Sequence, residues 1–219
     1  MIPLDIFADP VCPWCLIGKA RLDRALEARP GHPFVLAWHP FQLNPTLPPE
    51  GMDRQAFLQA RFGAEADRIH APVIEAARDA GLTLDLAAIR RMPNTLDAHR
   101  LIHWAGLEGR QTPVVSALLR AYWREGRDIG DHEVLADIGA SQGMDRALVA
   151  RLLASDADRD TVAEREAHAR ARGLKAVPTF IIGNQYVVEG AQTTDFWLQV
   201  IDDLAQAQAQ AQTPPPTTH

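Results

Sequence analysis

Apolar and polar positions alternate from Leu4 to Asp9, with Leu4, Ile6 and Ala8 set against Asp5, Phe7 and Asp9. A two-residue period of this kind predicts a short strand, which Asp9-Pro10 stops. The period then lengthens: between Pro13 and Arg29 the residues Leu16, Ile17, Ala20, Ala25 and Leu26 return at roughly helical spacing. Gly18 is a weak point in that helix, and Pro30-Gly31 ends it. Phe34-Val35-Leu36-Ala37-Trp38 is apolar throughout, which predicts a strand buried on both faces and a parallel strand-helix-strand unit with a right-handed crossover. Both strands of such a unit end on one edge, where open α/β sheets place their sites. The segments arriving there are the loop before Pro13 and His39-Pro40-Phe41-Gln42-Leu43-Asn44-Pro45.

After a proline-rich linker at Thr46 to Gly51 the pattern turns helical. Helices are predicted over 52–63, 65–80, 94–108, 113–125, 131–142, 145–154 and 156–172, with no convincing strand between them. Ile69-Val73-Ala77 and Val115-Leu118-Leu119-Tyr122 supply inward stripes, Pro113 suits a first helical turn, and Asp131 and Asp145 suit N-caps. Strand character returns at Val177-Pro178-Thr179-Phe180-Ile181-Ile182, with Pro178 tolerated at the strand start. Gly183-Asn184 joins it to Gln185-Tyr186-Val187-Val188 as a two-residue hairpin. A last helix is expected over 194–205, with Phe196, Trp197, Val200, Ile201 and Leu204 as its apolar face, and the Ala/Gln and Pro run of 206–219 is expected to be disordered.

The chain has 219 residues, 47% of them hydrophobic, which is enough for a core that needs no disulfides. A net charge of −6 with 23% charged residues offers no basic stripe and argues against nucleic-acid partners. No stretch approaches the roughly 18 uninterrupted apolar residues of a membrane span, and the start of the chain lacks the basic and apolar regions of a signal peptide. The expected address is cytoplasmic, where a lone Cys-x-x-Cys is more often catalytic than structural.

Both cysteines of the chain stand in Cys12-Pro13-Trp14-Cys15, at the predicted start of the first helix. Two thiols at i and i+3 share one helix face and are close enough to form a small disulfide ring. With Cys12 at the N-cap and Pro13 in the first turn, unpaired N–H groups and the positive end of the helix dipole face the Cys12 sulfur. Such settings lower a cysteine pKa from about 8.5 into a range of roughly 3.5 to 7.5. Cys12 is therefore the candidate nucleophile, with a pKa expected to be depressed mainly by the helix end. Cys15, one turn deeper, is the candidate resolving thiol, and Pro13 and Trp14 are the candidates for tuning the redox poise. A half zinc site is the bland alternative, but tetrahedral zinc needs two further ligands and no second cysteine pair or nearby His pair offers them. A structural disulfide across so few residues would remove little unfolded-state entropy.

Other polar features have bland readings that weigh more. His99 and His103 stand one helical turn apart, yet no third metal ligand can be named, so a structural role is expected. The Arg-, Asp- and Glu-dense run from Ala154 to Arg172 reads as a solvated face. His39, in the loop beside the dithiol, is a candidate accessory group for proton transfer or a satisfied core histidine.

Several motifs together carry a resemblance. They are Asp9-Pro10-Val11-Cys12-Pro13-Trp14-Cys15-Leu16-Ile17-Gly18-Lys19, Trp38 to Pro45, Asn94-Thr95 with His99-Arg100, Tyr122-Trp123 with Gly126-Arg127-Asp128-Ile129, Val177-Pro178-Thr179-Phe180, and Gly190-Ala191-Gln192. In this order they resemble the thioredoxin fold carrying the α-helical insertion of DsbA-like oxidoreductases, and look most like the FrnE-type subfamily. The resemblance implies an α/β, thioredoxin-like fold with a large α-helical insertion. Residues 1–45 would be its N-terminal half, 46–172 the insertion, 173–205 the C-terminal half and 206–219 a tail. It implies a thiol-disulfide oxidoreductase acting through Cys12 and Cys15 on protein thiols and disulfides or on glutathione as co-substrate, with no metal or organic cofactor. It also implies a cis peptide before Pro178, beside the thiols, where the Val177 backbone would pair with an extended substrate. Ala176 departs from the glycine that many relatives carry, and its methyl would narrow that approach. Relatives resembling 2-hydroxychromene-2-carboxylate isomerases and kappa-class glutathione transferases place serine where Cys12 stands, so the cysteine pair favours disulfide exchange. A glutathione-dependent isomerase or transferase, and a chaperone-like peptide-binding module, remain the alternatives.

Overall fold

Strand β1 (Ile2–Ala8) pairs in parallel with β2 (Phe34–Pro40), from Ile2 opposite Phe34 to Ala8 opposite Pro40, and helix α1 (Pro13–Ala28) makes the crossover between them. The computed structural model describes residues 1–66 and 68–212. On its other side β1 pairs antiparallel with β5 (Thr179–Ile182), Ile6 standing opposite Phe180. A hairpin then adds β6 (Tyr186–Glu189), giving the order β2-β1-β5-β6. Its two-residue turn holds Gly183 and Asn184 at φ 60° and 59°, the left-handed conformation that such tight turns demand. β2 runs two residues past the predicted Trp38 because pairing continues through His39 and Pro40.

Alternation along the strands divides the sheet into two faces. The paired rows Leu4, Leu36, Ile182 and Ile6, Trp38, Phe180 share one face. Helix α9 (Thr194–Gln212) lies on it beside α1, with Trp197 fully buried and edge-on to Phe180, their ring centroids 4.8 Å apart. The other face, carrying Asp5, Phe7, His39 and Ile181, is approached by α8 (Arg159–Ala171).

Between β2 and β5 lie α2 (Arg54–Phe62), α3 (Ala71–Asp79), α4 (Leu96–Leu107), α5 (Gln111–Trp123), α6 (His132–Ser141), α7 (Arg146–Leu153) and α8. Asp131 and Asp145 cap α6 and α7 as expected, accepting from Glu133 N and Leu148 N at 2.8 and 2.9 Å. Three expectations are corrected. The single helix over 65–80 is instead a 3-10 turn at Gly63–Glu65 followed by α3, because Pro72 is tolerated only in a first turn and so sets where the helix starts. The helical block contains two short strands, β3 (Met52–Asp53) and β4 (Arg91–Met92), too short for any period to register. The last helix does not stop at Ala205 but continues to Gln212, since Ala and Gln are both good helix formers. The remainder of the expected disordered tail, 213–219, lies outside the described residues.

Arg100, on α4, organises the end of α7. It is fully buried, and its guanidinium donates to the carbonyls of Leu152, Ser155 and Ala157, each at 2.7 Å, and to Asp97 Oδ1 at 2.8 Å. Carbonyls at and just past a helix end lack intrahelical partners, and a buried fork of donors supplies them.

Candidate active site

Cys12 occupies the N-cap of α1 with extended backbone (φ −86°, ψ 117°), and Pro13 follows in the first turn. The Cys12 N–H donates to Asp9 O at 2.9 Å, and the Cys12 carbonyl accepts from Cys15 N and Leu16 N at 3.1 and 3.3 Å. The loop is also tied to the insertion, for Trp123 Nε1 donates to Pro10 O at 3.0 Å. Both cysteines are free thiols and lie at the floor of the site, 3% and 2% exposed, while Trp14 stands out at 37%. The Val177-Pro178 peptide is cis, and Cys12 Sγ donates to Val177 O at 3.5 Å. In this state the thiol occupies the carbonyl that the resemblance offers to a substrate. Gly18 permits the close approach of that loop: a Cβ placed on it would stand 3.1 Å from Pro178 Cγ. The glycine that weakens the helix as a pattern thus lets Pro178 reach it. Ala176 is exposed, and its carbonyl accepts from Thr179 Oγ1 at 2.8 Å.

Cys15 differs electrostatically from a free thiol. Burial first, then its hydrogen bond with Cys12 and the charge there, push its pKa well up, and the Asp9 backbone N–H opposes them. It remains a thiol until something accepts its proton. Asp9 is the group that sequence reasoning missed. Its carboxyl is wholly buried, with Oδ2 accepting from Leu43 N at 2.7 Å and Oδ1 from Val11 N at 3.3 Å. Burial raises its pKa from 3.8 to about 7 against those bonds and one from Thr95. His99 Nε2, buried and without a hydrogen-bond partner among the described residues, lies 3.9 Å from Asp9 Oδ1. That imidazole is neutral, its pKa lowered to about 4 chiefly by burial. The only signal of Asp9 in the sequence was a carboxylate three residues before Cys12, indistinguishable from the Asp-Pro turn it also begins.

The raised Asp9 pKa has a signed consequence. A carboxyl whose folded pKa exceeds its unfolded value stabilises fully below about pH 4, and that contribution is lost as pH rises through about 7. A shift of about three units bounds the loss at ~4 kcal/mol. Asp9→Asn should therefore flatten the fall in stability between pH 5 and pH 8. Urea unfolding at the two pH values should show wild type losing on the order of 2–4 kcal/mol more than the variant; equal losses would mean the carboxyl is not under strain.

His39 is not brought to the sulfurs. Its ring stacks on Phe7 at 4.8 Å, on the α8 side of the sheet, and both nitrogens are engaged: Nε2 with Asp5 Oδ1 at 2.7 Å, Nδ1 with Arg165 at 3.2 Å. Burial lowers its pKa against the pull of Asp5. His103 and His99 serve different partners, His103 Nδ1 taking Arg165 at 3.1 Å. The charged run on α8 is more than a solvated face. Glu166 is 5% exposed and accepts from Gln42 N at 3.0 Å, while Arg170 lies 4.0 Å over the Phe41 ring and donates to Gln42 O. This helix pins the 41–43 loop, whose Leu43 N–H holds Asp9.

A cleft of about 240 Å3 opens beside the dithiol, lined by Val11, Pro13 and Trp14 from the thiol loop and by Arg54, Phe57 and Arg61 from α2, among others. A larger cavity, about 540 Å3, lies instead on the α8 side, around Asp5, Phe7 and His39. It is remote from the thiol chemistry.

A βαβ unit joined to a β-hairpin, with a dithiol heading the first helix and a cis-proline loop against it, defines a thioredoxin-type fold carrying a helical insertion. The chain belongs to the DSBA-like thioredoxin domain family, whose model matches residues 3–202. It is similar to the uncharacterized protein YwbO of Bacillus subtilis (strain 168), 25% identical over 208 residues that cover 92% of this chain and 96% of that protein. Among solved structures it is similar to the probable DsbA oxidoreductase SCO1869 from Streptomyces coelicolor, with 28% identity, a TM-score of 0.81, and coverage of 100% of this chain and 94% of that one. It shares its fold with the cytosolic disulfide reductase DsbM from Pseudomonas aeruginosa, solved with GSH, at 19% identity, a TM-score of 0.65, and coverage of 96% and 100%.

Proposed function

We propose that the protein is a cytoplasmic thiol-disulfide oxidoreductase acting through Cys12 and Cys15 on protein disulfides, with glutathione as a further co-substrate, and that its kinship within the family is to FrnE-type members. The observation that carries the reading is the placement of Cys12: its sulfur heads α1 and meets Val177 O beside Pro178, with Cys15 one turn below. Membership of the DsbA-like family and the likeness to a probable DsbA oxidoreductase support it. The fold shared with a GSH-bound disulfide reductase supports the glutathione arm.

In the reducing direction the Cys12 thiolate attacks one sulfur of a substrate disulfide, and the other leaves as a thiolate and takes up a proton. The mixed disulfide is then attacked by Cys15, which gives up its proton, closes the Cys12–Cys15 disulfide and releases the second substrate thiol. Two electrons pass from the dithiol to the substrate; the reverse sequence delivers a disulfide. No metal or organic cofactor enters this balance. Asp9, buried beside Cys15 and half-ionised near neutrality, is the group placed to hold the Cys15 proton. Pro13 and Trp14 set the poise through the stability they give the thiolate at the helix end. The cytoplasmic assignment rests on the use of cysteine: the only two are the reactive pair, and the core does without cross-links. Among the described residues no helix is long and apolar enough to cross a membrane.

Equilibration with glutathione redox buffers, followed by alkylation and mass measurement, tests the reading. Cys12 and Cys15 should interconvert as one two-electron couple, with a tenfold change in equilibrium constant for about 30 mV. Two independently titrating thiols, or no exchange, would overturn it.

A further inference from the structure

The cleft beside the dithiol has a charge opposite to that of the chain. The protein carries −6 overall, yet the described residues lining this cleft include Arg54, Arg61 and His70 and no Asp or Glu. Elsewhere Arg29, Arg100, Arg146 and Arg170 each meet a carboxylate. Arg54 and Arg61 meet none among the described residues. Arg54 is half-buried and donates to His70 Nε2 at 3.0 Å. A guanidinium can only donate, so that nitrogen is a lone pair and His70 is a neutral ring that leaves the Arg54 charge standing; burial and Arg54 itself both disfavour its protonation. Arg61 donates to Asn44 Oδ1 at 2.8 Å, and its guanidinium lies 5.9 and 5.7 Å from the rings of Phe57 and Phe62. Both cations are thus held in place by neutral groups, with donors to spare.

The walls between them are apolar: Phe57, Leu58, Phe62, Ile69, Val73 and Met92. Val11 and Pro13, the chain neighbours of Cys12, also line the cleft, so a ligand seated there lies within a residue or two of the reacting sulfur. A small polar thiol such as glutathione brings carboxylates but no apolar side chain to fill such a space. An extended polypeptide brings both.

We propose that this cleft selects polypeptide disulfides in which the reacting cysteine is flanked by an apolar side chain and a carboxylate, the apolar group seated between Phe57, Phe62 and Val73 and the carboxylate meeting Arg54 and Arg61. The proposal rests on the dithiol reading above and adds to it the chemistry of the client. It makes the protein a reagent for acidic segments, against the repulsion its own net charge would otherwise impose on them.

The test uses the full chain, reduced, in single-turnover reactions with short peptides carrying their cysteine as a mixed disulfide with a chromogenic thiol. The set contains Cys-Leu-Glu, Cys-Leu-Gln, Cys-Leu-Lys and Cys-Ser-Glu, beside the glutathione mixed disulfide. Cys-Leu-Glu should react about three- to tenfold faster than Cys-Leu-Gln at low ionic strength, with Cys-Leu-Lys slowest, and the ratio should fall toward one in high salt. Cys-Ser-Glu should be slower than Cys-Leu-Glu. In the Arg54→Gln/Arg61→Gln double variant the Glu-to-Gln ratio should fall to about one. Should the double variant fail to fold, Arg61→Gln alone and the salt dependence of wild type give the same readout. Equal rates for Glu and Gln peptides overturn the selectivity while leaving the dithiol reading intact, as does a glutathione derivative faster than every peptide. No reaction of wild type with any of these or with neutral 2-hydroxyethyl disulfide overturns the dithiol reading itself.

Discussion

Cys15→Ser protein mixed with a disulfide substrate should halt halfway, accumulating a covalent adduct on Cys12 that mass spectrometry of non-reduced samples detects at near-stoichiometric yield. Cys12→Ser should form no adduct. Net dithiol oxidoreduction should fall to background in both variants, because the first step needs the sulfur at the helix N-cap and the second needs a sulfur one turn below it. The outcome separates three chemistries that share this fold. A glutathione-dependent isomerase or transferase using Cys12 alone would keep its activity in Cys15→Ser. A module that only binds peptides would retain client binding in both variants and exchange in neither. The depth of the two thiols gives the trap a further feature: Cys12 itself is 3% exposed, so a mixed disulfide formed on it should resist bulk thiols longer than one at the surface.

The second large effect is on stability and lies far from the sulfurs. Arg100→Leu should lower the unfolding free energy by about 3–5 kcal/mol, a large share of the roughly 5–15 kcal/mol typical of a domain. Removal of the guanidinium takes the donor from the half-buried carbonyls of Ser155 and Ala157, each costing about 1–3 kcal/mol when left unmet, whereas Leu152 O keeps the Ser155 N–H and hydroxyl at 3.1 and 2.8 Å. Asp97 suffers less, since His132 and Arg159 still reach it at 2.8 and 3.2 Å. Arg100→Lys should fall between, because a single ammonium cannot reach three carbonyls arranged for a fork. Urea midpoints of the three proteins, with exchange rates measured at low denaturant, check this: the rate of the folded fraction should be unchanged. A loss under 1 kcal/mol in the leucine variant would mean water replaces the guanidinium.

How far the molecule could be read from its residues follows from the range of each interaction. The βαβ unit, the hairpin and the capped helices α6 and α7 were legible because period, caps and turn residues act within a few positions of one another. Two features escaped, the first of them for the opposite reason. β3 and β4 are two residues each and exist only because Met52 meets Met92, 40 positions further along the chain. The start of α3 turned on Pro72, a single residue that an apolar stripe concealed. In the candidate site, Cys12 and Cys15 stood out by spacing, and Val177 and Pro178 by resemblance. His39, a neighbour of the site in sequence, proved to face the other side of the sheet, because one step along a strand reverses a side chain. Asp9 gave no sign of burial, since the groups that enclose it come from Leu43, Thr95 and His99.

By itself the sequence determined the local elements, the N-cap position of Cys12, the turn of spacing to Cys15, and a core large enough to need no cross-links. Each of these follows from neighbours along one stretch of chain. Only the tertiary structure decided what surrounds the sulfurs: the Val177 carbonyl from 165 residues away, the Asp9 carboxyl sealed in by the 41–43 loop and the start of α4, and the pair of arginines on α2 lining the cleft beside the thiol loop. Burial and charge proximity are sums over space, and a chain order carries them only after it has folded.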